Sequence, residues 1–551
     1  MHAPSIHAAA VAALLCASSG AAAQAPTVQQ LPQAIMPGDC AGCAAPQAPA
    51  APMHADAALS IHLRAVQFDG AAAIAEADLQ GLAAPYLQRD VDAGQLRQLA
   101  QAVADLYRQR GYFLAQALVP VQQVRDGTLH LSVLEGRITT LDVRVAPQAP
   151  ISEQRVRAFL APLLQDAAVT AERYQRAMLL LADQPGIHIG ATLDDDKTPG
   201  ALRLTVQVTP TARWSFALDA DNHGIQEYGR YRLGGFARWA SPLGVGDNLD
   251  LRATLAPGAT LVYGRMAYEL PLGSSGLRLG AGLARTHYEL GGQYAALGLH
   301  GTARTWDLSL AYPAIRQPRH NLFLRLLAEQ KALHDTFDAD TQTARKRIQA
   351  LGLGWAWERR DDWLGGGYWA SAGTLYRGRL TLRDASGLAA DQAATGLHTQ
   401  GDFTKLTLQL SRLQRVARRH FVFLSLGGQR SSKNLDALEK LALGGAQGVR
   451  AYPYGAALVD QGWTATLEWR WSATPSLTPF AFYDAAHGAQ DKAPLAPLSA
   501  PSLRGAGLGL SWSARHLLID ATLAWRTGTP NLPAQSDTHQ PRLYLRAQVP
   551  F

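Results

Sequence analysis

Two groups of charged residues in this chain of 551 could do chemistry. Arg450 lies among apolar and aromatic residues in the glycine-rich stretch from Leu443 to Gly462. A guanidinium in such surroundings needs a carboxylate partner, and a bidentate pair fixes orientation as well as charge. The run from Asp194 to Asp196 could bind a cation, but a Pro-Gly pair follows it closely. A charged turn is the simpler interpretation of that run.

A third group is the pair Cys40 and Cys43, because Cys16 belongs to an apolar N-terminal leader. The flanks of the pair are rich in Pro and Ala, unlike the helix start of a redox CxxC, and two thiols are too few for a structural zinc. In an exported chain we therefore expect a local disulfide. The histidines lack metal-ligand spacing, and no nucleophile elbow, zincin, phosphate-loop or dinucleotide motif occurs in a supporting context. The sequence predicts no enzyme, no cofactor and no metal.

The stretch around Arg450 is too long for an ordinary hairpin connection, which has two to five residues. It joins two segments of alternating apolar and polar residues, Phe421 to Gly428 and Trp463 to Trp471. We expect residues 436–462 to form a loop folded back into a pore, held in one place and able to move.

Alternation of this kind continues from residue 211 to the end of the chain. Segments of eight to twelve residues give about sixteen strands with one apolar and one polar face, an even number typical of outer-membrane barrels. Charges such as Arg252, Arg325, Glu329, Glu468 and Arg470 fall on the polar face, which suits a wet lumen. We expect the aromatic residues near strand ends to form an interfacial girdle: Trp239, Tyr263, Tyr268, Tyr312, Trp471 and Trp525.

The residues before the barrel divide into four parts. Residues 1–23 have the apolar run and small-residue end of a secretory signal peptide. Residues 24–58 are rich in Ala, Pro and Gln and are expected to form a linker or tether. Residues 59–136 and 137–210 each predict the order β-α-α-β-β, an internal duplication. In the first unit the predicted helices are 75–87 and 93–109, and the predicted later strands are 112–119 and 128–134.

Composition and charge narrow the classes of partner. No apolar run of about 18 residues occurs outside the extreme N-terminus, so spanning helices are not expected. The net charge is +7, but the basic residues alternate with apolar ones instead of clustering. A cationic pore wall explains this pattern, and no nucleic-acid partner is predicted.

Several motifs carry a resemblance to known families. The duplicated units, with their Asp126-Gly127 turn, resemble polypeptide-transport-associated (POTRA) domains. The last strand, ending in Phe551, resembles the signal by which the barrel-assembly machinery recognises outer-membrane barrels. The whole chain resembles the outer-membrane transporters of two-partner secretion, the haemolysin secretion/activation family. The best match is the loop motif, whose residues are Gly448, Val449, Arg450, Ala451 and Tyr452.

The resemblance also implies a partner for the loop. The motif of Phe482 and Asp484 looks like the family's barrel-wall motif, which implies that Asp484 pairs with Arg450. Two positions depart from the family pattern. Ala486 stands where a glycine is common, and Ala456 stands where an acidic residue often follows the loop motif.

The function implied is a channel of the bacterial outer membrane, in contact with its lipid and with its POTRA domains in the periplasm. It would capture an unfolded exported partner, such as an adhesin, a haemolysin or a toxin, move it to the surface and in some members activate it. Two alternatives remain open: a factor of the same superfamily that inserts other barrels, and a passive porin or adhesin barrel.

Overall fold

The computed structural model describes residues 60–551 except 125, 226, 228, 292–294, 297, 338–341, 495–499 and 529–538. The predicted signal peptide, the linker, Cys40 and Cys43 lie outside the described residues. None of the helices in the described part of the chain is both long and apolar enough to cross a membrane.

The first N-terminal unit packs two helices against short strands. The long second helix begins with a capping box, in which the Asp92 carboxylate accepts from the Gln95 backbone N–H and the Gln95 side chain accepts from the Asp92 N–H. Its buried face carries Leu96, Leu99, Val103 and Tyr107 at helical spacing. The elements are β1 (Ser60–Leu63), β2 (Ala65–Asp69), α1 (Glu76–Ala83), β3 (Arg89–Asp92), α2 (Ala93–Gln109), β4 (Gln116–Leu118) and β5 (Thr128–Leu134).

Two details of this unit differ from the prediction. The strand expected at 112–119 is reduced to β4, because the Tyr112 N–H bonds back to the Tyr107 carbonyl and residues 112–115 form turns after α2. The unpredicted β3 lies between the helices and pairs with β1. Its alternating residues are mostly charged and exposed, so they carry little apolar signal.

The second unit has the order β-α-α-β-β. Its elements are β6 (Arg137–Val145), α3 (Glu153–Leu164), α4 (Ala171–Ala182), β7 (Ile187–Asp195) and β8 (Ala201–Pro210). The Asp196 carboxylate after β7 accepts hydrogen bonds from Thr140 at 2.5 Å, from Thr139 at 2.9 Å and from Arg203 at 3.1 Å. The hydroxyl of Thr140 and then that of Thr139 hold the pKa of Asp196 below its usual range. This is a charged turn, and the described residues contain no group of metal-ligating side chains.

A closed antiparallel barrel of sixteen strands follows, which confirms the predicted architecture. The first eight strands are β9 (Trp214–Asp221), β10 (Arg232–Ala240), β11 (Asn248–Leu255), β12 (Leu261–Pro271), β13 (Arg278–Glu289), β14 (Leu299–Arg316), β15 (His320–Phe337) and β16 (Gln342–Asp361). The other eight are β17 (Gly367–Leu382), β18 (Gly401–Ala417), β19 (His420–Ser431), β22 (Gln461–Trp471), β23 (Leu477–Ala489), β24 (Ser502–Ala514), β25 (Leu517–Arg526) and β26 (Arg542–Pro550). Helix α5 (Ala385–Gln392) lies between β17 and β18, and two short strands outside the ring, β20 (Leu441–Ala442) and β21 (Leu458–Val459), lie between β19 and β22.

The barrel wall has an apolar outer face and a polar inner face. Leu251, Met266, Leu283 and Trp306 form one row across four neighbouring strands, and all four are exposed on the outside. The prediction that Tyr263 belongs to the aromatic girdle is wrong. Tyr263 lies on the opposite face of β12 from Met266 and is buried in the interior. Side chains alternate along a strand, and the outward residues of β12 have even numbers, whereas Tyr263 has an odd one.

The second N-terminal unit is docked onto the near end of the barrel through α4 and the residue after it. Asp183 accepts two hydrogen bonds from Arg316 at the end of β14, at 2.6 and 2.8 Å. Arg176 lies over the ring of Tyr312 at 5.7 Å. These contacts mark the end of the barrel that carries the N-terminal units.

Candidate functional site

The predicted loop leaves β19 at the far end of the barrel and returns through β22, the eleventh and twelfth strands of the ring. A short hairpin, β20 (Leu441–Ala442) with β21 (Leu458–Val459), forms its neck. Beyond the neck, residues 443–457 form the part that we call the loop tip.

The loop tip is closed by its own backbone. The Val449 N–H donates to the Leu443 carbonyl at 2.8 Å, and the Gly445 N–H donates to the Tyr452 carbonyl at 2.9 Å. Gly448 must be glycine, since a Cβ there would lie 2.4 Å from the Leu443 carbonyl oxygen. The motif therefore forms a compact turn that presents Arg450 on one side.

Arg450 is buried and reaches two carboxylates on the barrel wall. Its Nε and Nη2 donate to the two oxygens of Asp484, each at 2.8 Å, and its Nη1 donates to Glu468 at 2.8 Å. The Arg450 backbone N–H also donates to Asp484 at 3.1 Å. Asp484 lies on β23 and accepts a further bond from Thr466 at 3.0 Å. The structure thus brings together the two residues whose pairing the resemblance implied.

Glu468 on β22 is the partner that the sequence did not identify. Its second oxygen accepts two hydrogen bonds from Arg470, at 2.6 and 2.8 Å, so that two arginines and two carboxylates form one neutral cluster. We call Arg450, Glu468, Arg470 and Asp484 the lumen charge cluster. Period-two alternation places Glu468 on the inner face but cannot show that it faces the loop.

Phe482 forms the floor under the loop arginine. The Arg450 Cζ lies 3.5 Å from the centroid of the Phe482 ring, a close cation–π contact. Arg470 lies between two further rings, those of Phe423 and Phe480, at 5.5 Å from each. Aromatic faces and carboxylates together replace the water that both guanidinium groups lose.

The rest of the loop tip packs on the wall by apolar contact. Val449, Ala451 and Tyr452 are completely buried against strands β23 to β25. Gly505 on β24 makes room for this contact, because a Cβ at Gly505 would lie 2.6 Å from the Cβ of Ala451. Arg526 donates to the Ala451 carbonyl at 3.4 Å and lies over the Tyr452 ring at 4.8 Å.

The two departures from the family pattern both lie in this packing. Ala456 and Ala486 are buried members of the same apolar cluster as Val449 and Tyr452. An acidic side chain at 456 would be buried among apolar neighbours, at a cost of several kcal/mol unless it found a partner. The alanines therefore fit the local surroundings.

A second group of charges holds the base of the loop. Glu439 is buried and accepts from Lys331 on β15 at 2.8 Å and from Lys405 on β18 in a short contact. Lys346 on β16 binds both oxygens of Asp436 at 2.9 and 3.0 Å. We call Asp436, Glu439, Lys331, Lys346 and Lys405 the base charge cluster.

Apolar contacts reinforce the base of the loop. Leu435 and Leu438 are buried in a cluster with residues of five strands: Ala303, Leu333, Ile348, Leu380 and Phe403. The base thus docks on the sector from β14 to β18, and the loop tip docks on the sector from β22 to β25. One loop is fixed to two separate sectors of the wall.

The chain ends at the barrel seam. The Phe551 N–H donates to the Phe216 carbonyl on β9 at 2.8 Å, which extends the pairing of β26 with β9. The Phe551 side chain itself is exposed. It is accessible at the end of the barrel that carries the N-terminal units.

Comparison with known sequences identifies two segments. The model of the haemolysin secretion/activation protein family ShlB/FhaC/HecB matches residues 200–512, more than half of the chain. The model of the ShlB-type POTRA domain matches residues 61–136.

Curated relatives are transporters. The chain is 27% identical over 384 residues to the heme/hemopexin transporter protein HuxB of Haemophilus influenzae strain 86-028NP, covering 68% of this chain and 66% of HuxB. The match therefore spans just under two thirds of that relative's length. This chain is also 23% identical over 500 residues to the outer membrane transporter CdiB of Dickeya dadantii, and the match covers 87% of this chain and 86% of CdiB.

The fold is similar to that of a solved transporter. CdiB from Escherichia coli superposes with a TM-score of 0.72 at 19% identity, over 95% of this chain and 96% of that chain. With the family model matching most of the barrel, the chain belongs to the haemolysin secretion/activation protein family, as an outer-membrane β-barrel with N-terminal POTRA domains in the periplasm.

Proposed function

We propose that this protein is the transporter of a two-partner secretion system, which takes an unfolded exported partner from the periplasm to the cell surface. Arg450 is the residue whose release frees the pore. The observation that carries the proposal is the lumen charge cluster, which fixes the loop tip inside the barrel.

Such a loop must be both stable at rest and able to leave. Removing one partner of a buried ion pair costs about 3–5 kcal/mol, because the other charge is left buried without compensation. The resting position of the loop tip is therefore well defined. The same charges regain water when the loop tip moves into a wet lumen, which lowers the cost of opening. A neutral cluster of charges thus suits a moving contact better than an apolar plug of equal size.

The two docking sectors suggest how the loop moves. The base charge cluster and the buried Leu435 and Leu438 hold the loop to strands β14 to β18. The loop tip can then swing from the β22 to β25 sector while its base stays in place. The partner chain passes through the space that the tip leaves.

The direction of transport needs no nucleotide. The partner is captured as an extended chain, and exposed sheet edges of the POTRA domains can bind such a chain by strand addition. Folding of the partner outside makes its return unfavourable. By the same proposal, the exposed Phe551 is the residue that the barrel-assembly machinery recognises when this barrel is inserted.

The test is secretion of the cognate partner by Arg450→Ala. We expect secretion to be lost, because without Arg450 the loop tip cannot return to its resting contacts with Asp484 and Glu468 and the pore no longer opens and closes in step with the partner. The barrel should still insert and keep its heat-modifiable mobility on a gel. Arg325→Ala is the matched control, since this inward arginine on β15 bonds to Ser309 at 3.0 Å and belongs to neither charge cluster. Normal secretion by Arg450→Ala would refute the role of the loop.

A depletion experiment separates this function from barrel assembly. Loss of the chain should lower one exported protein and leave the general level of outer-membrane proteins unchanged. A general loss would favour the assembly factor. A large exported protein encoded beside this chain would support the secretion function.

A further inference from the structure

Arg285, Arg304 and Arg347 lie on the outer face of the barrel, where lipid-facing residues are expected. Arg285 on β13 pairs with Arg304 on β14, Arg304 pairs with Ala332, and Ala332 pairs with Arg347 on β16. All three therefore point to the same side of the wall. Arg285 and Arg304 are exposed, and they flank the exposed outward residues Leu283 and Trp306 in the next row.

These arginines must lie at the edge of the apolar band. An arginine on the lipid face of a barrel costs about 2–4 kcal/mol at the midplane and close to nothing at the interface. Arg304 precedes Arg316, at the periplasmic end of β14, by twelve positions within one strand. At about 3.3 Å per residue and a tilt of about 40°, this is roughly 30 Å along the membrane normal, enough to cross an apolar band of about 25 Å. The arginines therefore lie at the extracellular interface.

Like charges face each other there. Arg285 and Arg304 are directly opposite across two paired strands, an arrangement that is unfavourable without an anion between them. Among the described residues neither has a carboxylate partner. Other outward arginines nearby are paired, since Arg379 bonds to Asp402 at 2.5 and 3.1 Å and Arg345 bonds to Asp384 at 3.2 Å. The Nε of Arg347 is buried without a partner in the described part of the chain.

An apolar groove ends at these arginines. Its floor is made of small outward residues, Gly235, Ala253 and Gly264, which lie in the same row as Arg285. Bulky apolar side chains form its walls, and Arg285 and Arg304 close one end: the walls are Phe216, Leu218, Leu251, Met266, Leu283 and Trp306. A groove floored by glycine and alanine, walled by bulky apolar side chains and open to the hydrocarbon, offers an apolar surface on which an acyl chain can lie.

We propose that this surface is a binding site for a phosphorylated glycolipid of the outer leaflet, with an acyl chain in the groove and phosphates on Arg285, Arg304 and Arg347. Arginine binds phosphate through paired charge-assisted hydrogen bonds. Arg347 lies two strands beyond Arg304, about 10 Å away at the usual strand spacing. The three arginines form one row of positive charge that can contact two phosphates of one headgroup at once, and its position at the extracellular interface fits the glycolipid leaflet.

The test is native mass spectrometry of the purified full chain, titrated separately with bisphosphorylated lipid A, monophosphorylated lipid A and phosphatidylglycerol. We expect the bisphosphorylated form to bind most tightly. The combined substitution Arg285→Gln, Arg304→Gln and Arg347→Gln should weaken it by at least tenfold, the factor expected from even one lost charge-assisted hydrogen bond. Arg325→Gln is the matched control, since Arg325 is an arginine on the lumen face of β15 and does not line the groove, and it should bind like the wild type.

Equal binding of bisphosphorylated lipid A by the wild type and the triple variant would overturn the proposal. So would equal affinity of the wild type for phosphatidylglycerol, which would assign the site to phospholipid. Heat-modifiable mobility reports whether the triple variant is folded. If it is not, Gly264→Phe, which fills the groove and leaves all arginines in place, should weaken lipid A binding, and unchanged binding by that variant would also overturn the proposal.

Discussion

Arg450 of the loop and Asp484 of the wall are joined by three hydrogen bonds, one of which comes from the Arg450 backbone. The carboxylate therefore holds both the side chain and the turn that presents it. Removal of the arginine side chain leaves one of these bonds, the backbone bond at 3.1 Å, and it leaves Glu468 with Arg470 alone.

Arg450→Ala should make the resting pore unstable. Removing one partner of a buried ion pair costs about 3–5 kcal/mol, so the loop tip should leave its site far more often. Single-channel recordings should show more frequent large openings than in the wild type. Arg450→Lys should be intermediate, since a single ammonium group cannot make the bidentate contact with Asp484 and reach Glu468 in the same way. An unchanged open probability in Arg450→Ala would contradict the assignment.

Glu439→Gln should loosen the base of the loop and leave the tip in place. The substitution leaves Lys331 and Lys405 buried with the charge of Glu439 removed. The readout is thiol labelling of Leu438→Cys, a position that is 1% exposed, in a chain whose Cys40 and Cys43 are serine. Labelling should be about tenfold faster in the Glu439→Gln background.

Glu289→Gln is the matched control for that experiment, because Glu289 is an exposed carboxylate at the end of β13. It should leave the labelling of Leu438→Cys unchanged. If Glu439→Gln also leaves the labelling rate at the wild-type value, the base charge cluster does not hold the loop.

Gly505→Val should displace the loop tip by steric contact alone. A Cβ at this position would lie 2.6 Å from the Ala451 Cβ, and overpacking of this kind costs about 1–3 kcal/mol. Hydrogen exchange of residues 443–457 should be about tenfold faster. Gly264→Val is the matched control, because nothing lies within 4 Å of a Cβ there. Equal protection of the loop in both variants would mean that the tip does not rest on β24.

Tyr107→Phe should weaken the first POTRA domain. The buried Tyr107 hydroxyl donates to Glu135 at 2.8 Å, and Glu135 also accepts from the backbone N–H groups of Ala72 and Ala73 at 2.6 Å each. Loss of one such bond costs about 1 kcal/mol, so amides of α2 should exchange roughly fivefold faster in the full chain. An unchanged exchange rate would show that the Tyr107 hydroxyl does not contribute to the stability of this domain.

The same tyrosine makes a prediction about pH. Burial first, and then the hydrogen bond to Glu135, raise the pKa of Tyr107 above its usual value. A raised pKa favours the neutral form in the folded state, so this stabilisation is complete below the unfolded pKa of about 10 and is lost as pH rises towards the folded value. Protection of α2 should therefore fall above about pH 10 in the wild type and fall less in Tyr107→Phe.

Much of the architecture could be predicted from the sequence because it depends on local periodicity. Alternation at period two identifies strands and their two faces, and the sixteen strands and the place of the loop between the eleventh and twelfth follow from it. Helical spacing predicts the helices of the repeated α+β units in the same way. The sequence does not predict the short β3, because its residues are mostly charged and exposed. Tyr263 lies on the inner face because parity along the strand, and not aromatic character near a strand end, determines the face.

The contacts that hold the loop depend on tertiary structure. A motif resemblance implies the pairing of Arg450 with Asp484. The contacts of Glu468 and Arg470 and those of the base charge cluster are not predicted by any motif. Periodicity shows that Glu468 and Lys405 face inward, and it does not show which inward residues meet. That depends on the register of a closed ladder and on the path of one loop through it, in which Glu439 reaches β15 and β18 while Arg450 reaches β22 and β23. The sequence by itself determined the wall and its faces, and the closed barrel decided which charges are partners.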